Sequence, residues 1–132
     1  MKYLCLGYHD DAVWSALSEQ DRSALVEETL AYGRELRAGG HVLSDTALQS
    51  PAAATTLRFG GGKVRVTDGP FAETKEQLAG FYLIDAADLD DAIRIASEIP
   101  PARVGSIEVR PVRELVPDGI GSQRVARAVS HS

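Results

Sequence analysis

Two short stretches, Lys2–Tyr8 (KYLCLGY) and Gly80–Ile84 (GFYLI), are apolar at odd and even positions alike. Successive residues of a strand face opposite sides of its sheet, so such stretches place hydrocarbon on both sides. In the first, Leu4, Leu6 and Tyr8 point one way, and Tyr3, Cys5 and Gly7 the other. An antiparallel sheet with one solvated face would alternate apolar with polar instead. Both faces of this sheet therefore require cover, and the remaining elements must supply it.

Helical signals occur twice. Asp11–Leu17 reads as a short turn, after which Ser18 is placed as the N-cap of a helix over Glu19–Ala38, with Asp21 as a capping-box-like acid. Leu25/Val26, Thr29/Leu30, Tyr32/Gly33 and Leu36 form its apolar stripe, and Gly39-Gly40 ends it. Gly33, costly in a helix interior, predicts close packing on a neighbouring backbone. The second helix starts at the N-cap Asp88, with Asp90 and Asp91 in its electropositive first turn. Leu89, Ala92, Ile93 and Ala96 are its expected buried side, and Pro100-Pro101 stops it.

The strands come between and after. His41–Leu48 is a weak strand candidate. Thr56–Phe59 and Lys63–Val66 flank Gly60-Gly61-Gly62, a hairpin signature. Leu57, Phe59, Val64 and Val66 form one hairpin face, and Arg58, Lys63 and Arg65 a basic one that reads as solvated. Ser106–Val112 closes the domain, with Ile107 and Val109 opposed to Glu108 and Arg110.

Without the hairpin the order is strand, helix, strand, strand, helix, strand: an α+β, ferredoxin-like βαββαβ arrangement with an inserted β-hairpin. Both helices then cover one sheet face. An identical subunit is the simplest cover for the other, since two-fold pairing is the commonest oligomer. The competing expectation is that the hairpin folds back over it. The domain is expected at residues 1–116, with 117–132, including His131, as a flexible C-terminal tail.

Composition narrows the function classes. A chain of 132 residues with 44% hydrophobic and 25% charged residues fits one globular domain. A net charge of −5 argues against nucleic acid as a partner, because phosphate binding draws on clustered cations. No apolar run approaches the ~20 residues that span a bilayer, and the opening turns acidic too soon for a signal peptide, so the expected location is cytoplasmic. The single Cys5 excludes an intrachain disulfide and a thiolate-rich metal cluster, and reads as a small buried hydrophobe. No metal ligand set and no cofactor motif stand out: Gly60-Gly61-Gly62-Lys63 lacks Walker spacing and lies between strands.

The run from Val66 to Pro100, VTDGPFAETKEQLAGFYLIDAADLDDAIRIASEIP, and above all Asp68–Glu76 (DGPFAETKE), resembles the DGPF branch of the YCII-related proteins. The opening MKYLCLGY, the helix ending at Gly39-Gly40 and the closing Gly105–Val112 fit the same family, so the resemblance spans about residues 1–113. It implies a dimeric α/β barrel, two ferredoxin-like sheets facing each other around a cleft. It also implies a setting beside extracytoplasmic-function sigma factors. In the wider group a His–Asp pair is suspected of acid–base work, and one relative looks like a dehydrochlorinase acting on a chlorinated hydroxyquinol. The suspected His lies on the first long helix, where Thr29 is the nearest counterpart and no His occurs between Asp10 and Gly40.

Asp68 is the foremost site candidate, either capping its own turn as an Asx-turn or presenting a base to the cleft. His41, near a strand end, is the accompanying titratable candidate. Phe71, Glu73, Lys75, Glu108 and Arg110 are the candidate binding residues for a small polar or aromatic ligand. Glu108 and Arg110 are expected to form an ion pair across the subunit interface or to reach that ligand. His9-Asp10-Asp11 reads as a helix start. Two functions compete: a homodimeric ligand-binding or regulatory module, and a cofactor-independent lyase or isomerase using acid–base residues in the dimer cleft.

Overall fold

A computed structural model describes residues 1–117 and the backbone of 119–120. Four strands form the main sheet: β1 (Lys2–His9), β2 (Val42–Ala47), β5 (Gln77–Asp85) and β6 (Gly105–Pro111), in the order β2-β5-β1-β6. Every pairing is antiparallel. The two stretches apolar on both sides are thus the two central strands, with Leu4 opposite Leu83 and Leu6 opposite Phe81. Together with its helices, the sheet makes an α+β fold compatible with ferredoxin-like topology.

The helices α1 (Asp11–Ala16), α2 (Glu19–Ala38) and α3 (Leu89–Ser97) start where side-chain acceptors meet orphan amides. Asp10 accepts from the Ala12 N–H, Ser18 from Asp21 and Asp88 from Asp91. The core lies between α2, α3 and one sheet face. Tyr3, Cys5 and Ile84 from the sheet pack with Leu36 and Val42 and with Ala92, Ile95, Ala96 and Ile99. The Tyr32 hydroxyl donates to the Ile95 carbonyl at 2.6 Å, tying α2 to α3.

Three expectations about packing are corrected. On α3 the buried residue is Ile95 at 0% exposure, whereas Ile93 is 38% exposed. Positions 92, 95, 96 and 99 share one helical face, and 93 falls off it. On α2, Leu25, Gly33 and Leu36 are buried, while Val26 and Leu30 are exposed. A side chain at Gly33 would meet no neighbouring backbone; it would meet the side chains of Asp45 and Arg37, which pair with each other.

The hairpin β3 (Thr55–Gly60) and β4 (Lys63–Asp68) pairs only with itself among the described residues. Gly61 and Gly62 both take positive φ, 57° and 73°, as the two-residue turn of a right-twisted hairpin demands. The basic face is solvated as expected, Arg58, Lys63 and Arg65 all being exposed, and of the two strands only Thr56 is buried. Leu57, Phe59, Val64 and Val66 are at least half exposed as well. The hairpin therefore does not bury its own apolar face on the sheet.

The sheet face opposite the helices carries Leu4, Leu6, Tyr8, Phe81 and Leu83, all half-buried. Beyond Pro111 the chain makes a small hairpin, β7 (Leu115–Val116) with β8 (Gly119–Ile120). Residues 121–132 of the expected tail, His131 among them, lie outside the described residues. No described helix is long and apolar enough to cross a membrane.

Candidate functional site

The segment that follows the hairpin is shaped by its turn. Gly69 has φ +110°, a conformation other residues rarely adopt, and not the extended geometry expected of a residue before proline. Its N–H donates to the Ala54 carbonyl at 2.8 Å, and its carbonyl accepts from the Thr56 hydroxyl at 2.7 Å. Backbone and threonine therefore hold this turn. The Asp68 side chain is exposed and makes no hydrogen bond or ion pair among the described residues, so the expected Asx-turn is not formed.

Past the turn, Phe71 is held from the hairpin. Arg58 donates to the Phe71 carbonyl at 2.8 Å and stands 5.5 Å from its ring centroid, a cation–π contact. Gln77 donates to the carbonyls of Ala72 (2.7 Å) and Thr74 (3.0 Å), folding the polar run into a tight loop. Glu76 accepts from the Ser106 hydroxyl at 2.8 Å, fastening that loop to β6. Ser106 is the cross-strand partner of Tyr8.

These contacts frame a hollow of about 840 Å³ at the corner of the sheet where β1 ends. Its walls are residues 48–51 and 53–57 on one side and 70–72, 74 and 76–78 on the other, with Tyr8 between. Leu48, Pro51, Leu57, Pro70, Phe71 and Leu78 supply apolar surface. Ser50, Thr55, Thr74 and Gln77 supply neutral polar groups, and Glu76 supplies the one charge in the lining among the described residues. An apolar hollow with a few convergent polar groups is the usual form of a small-molecule site.

Of the residues expected from sequence, Phe71 alone lines the hollow. Glu73 and Lys75 are exposed in the adjoining loop. His41 lies beside Asp85, with Nδ1 3.4 Å from the Asp85 carbonyl, at the opposite end of β1 from the hollow. The eight residues of β1 at ~3.3 Å each separate those ends, so Asp68 and His41 are not brought together within this chain. Glu108 and Arg110 share the open sheet face and pair with each other on β6, Arg110 Nε lying 2.8 Å from Glu108 Oε2. His9 stacks on Trp14, ring centroids 5.7 Å apart.

Tyr8, Thr74 and Gln77 are lining residues that sequence reasoning passed over, Tyr8 because it looked like one more apolar strand position. Among the described residues no three His, Cys, Asp or Glu side chains gather as a metal-binding group. Burial pushes the Cys5 thiol up to about 11, which removes it as a nucleophile at neutral pH.

The YCII-related domain matches residues 1–116, the whole sheet and both long helices. The chain belongs to the YCII-related family. Within it, uncharacterized protein R00369 of Rhizobium meliloti (strain 1021) is 43% identical over 114 residues, which cover 85% of this chain and 92% of that protein. The relative carries no stated activity, so the function of this YCII-related protein has to be argued from its own geometry.

Proposed function

We propose that this YCII-related protein is a homodimeric small-molecule-binding module, with its ligand held in the hollow at the Tyr8 corner of the sheet. The hollow carries this reading: it joins apolar walls to a few oriented polar groups, and the Thr56 and Gln77 side chains hold its rim in place by hydrogen bonds to backbone carbonyls. Binding is favoured over acid–base catalysis because the two titratable candidates, Asp68 and His41, stand at opposite ends of the fold. Dimerisation is supported by the open sheet face, where Leu4, Leu6, Phe81 and Leu83 form an apolar stripe that none of the described residues buries fully. Joining two such faces would bring the Tyr8 corners to the rim of a shared cleft and the Glu108–Arg110 pairs to its edge. A cytoplasmic, ligand-responsive role beside an extracytoplasmic-function sigma factor, as in the DGPF branch, is the setting proposed for it.

A fragment screen followed by amide and side-chain NMR tests the site. Shifts should cluster on Tyr8, Phe71, Thr74, Gln77 and Leu78, and Ala53→Trp, which projects into the hollow from an exposed turn, should abolish them. Hits that cluster around His41 and Asp85 instead would overturn the reading.

A further inference from the structure

We infer that the hollow selects ligands carrying a positive charge on an apolar or aromatic body, with Glu76 as the selecting group; this rests on the hollow being the binding site. Of the described residues that line it, Glu76 alone is charged; its other polar groups are hydroxyls and amides. A second carboxylate stands just behind the wall, where Asp11 accepts from the Ser50 hydroxyl at 3.2 Å. Outside the lining, Lys75 is exposed in the adjoining loop, and Arg58 donates to the Phe71 carbonyl and stands over the Phe71 ring. Those contacts hold its guanidinium away from an entering anion. An anionic ligand would meet Glu76 without a partner charge, whereas an ammonium group would find a carboxylate already oriented by Ser106. The walls contributed by Phe71, Leu57 and Leu78 suit a ring or a short hydrocarbon chain.

Three probes sharing one indole body test the charge: tryptamine, its equal-sized neutral counterpart tryptophol, and the anion indole-3-propionate, titrated calorimetrically into the wild-type protein. Tryptamine should bind about fivefold more tightly than tryptophol, the scale of one partly exposed ion pair, and indole-3-propionate most weakly. Glu76→Gln retains an oxygen for Ser106 and should bring tryptamine to the tryptophol value while leaving tryptophol unchanged. Ala53→Trp should remove all binding. If indole-3-propionate binds as well as tryptamine, or if Glu76→Gln leaves the preference intact, the charge selection is overturned while the hollow stands as a site. If none of the three binds at millimolar concentration, or if Ala53→Trp leaves binding untouched, the hollow itself fails, and the proposed function with it.

Discussion

At Asp68 the carboxylate has no contact to lose, because the turn it begins is held by Gly69 and Thr56. Asp68→Asn and Asp68→Ala should therefore both melt within ~0.5 kcal/mol of wild type, as exposed substitutions away from special features do. Loss of about 1–2 kcal/mol by the alanine variant alone, measured by urea unfolding, would show that the side chain caps the turn in solution. Cys5 gives a pH prediction. Its thiol is raised to about 11 by burial, so the folded state holds its proton above the pH at which the unfolded chain releases it. Stability from this group is complete below the ordinary thiol range and falls as pH rises from there toward about 11. Tyr32, pushed up to about 12 by burial and then by Glu98, adds to the same alkaline loss above its ordinary value. Cys5→Ala should flatten the lower part of that decline, seen as a smaller drop in Tm between about pH 8 and 10.

Elements here are defined by their ends and joined by few polar ties. Ser18 and Asp88 cap α2 and α3 as their sequence positions foretold. The Tyr32–Ile95 hydrogen bond spans 63 residues and no local pattern announces it. Tyr32→Phe keeps the ring against the core and removes the donor; it should cost about 1 kcal/mol in chemical denaturation with the m-value unchanged. The hairpin shows the same division. Its Gly-rich turn and its solvated basic face were legible, but the exposure of its apolar face was not, since alternation marks a face without fixing what covers it.

At the scale of the whole molecule, one sheet face carries Leu4, Leu6, Phe81 and Leu83 only half-buried among the described residues, the face through which the proposed dimer forms. Two such faces should pair, so light scattering at micromolar concentration should give twice the monomer mass. Leu6→Glu, opposite Phe81 on that face, should yield a monomer with native far-UV circular dichroism. A wild-type monomer at that concentration with a native spectrum would remove dimerisation from the proposed function. The surplus of hydrocarbon was visible in the residues of β1 and β5, whereas the means of covering it was not.

By itself the sequence determined the elements and the one-sided burial of the helices. Capping residues, glycine turns and strand alternation are local, short-range signals that sterics and hydrogen bonding enforce wherever they occur. It also determined the family: the YCII-related domain matches residues 1–116, which include the motif at Asp68–Phe71. Only the tertiary structure decided what that motif does: it bends the chain at Gly69 and hands Phe71 to the hollow while leaving Asp68 outside. Only the tertiary structure, too, joined Tyr8, Glu76 and Ser106, which lie on two strands and a loop up to 98 residues apart in number. Such a juxtaposition depends on strand order and register, and these follow from how the whole sheet packs on its helices.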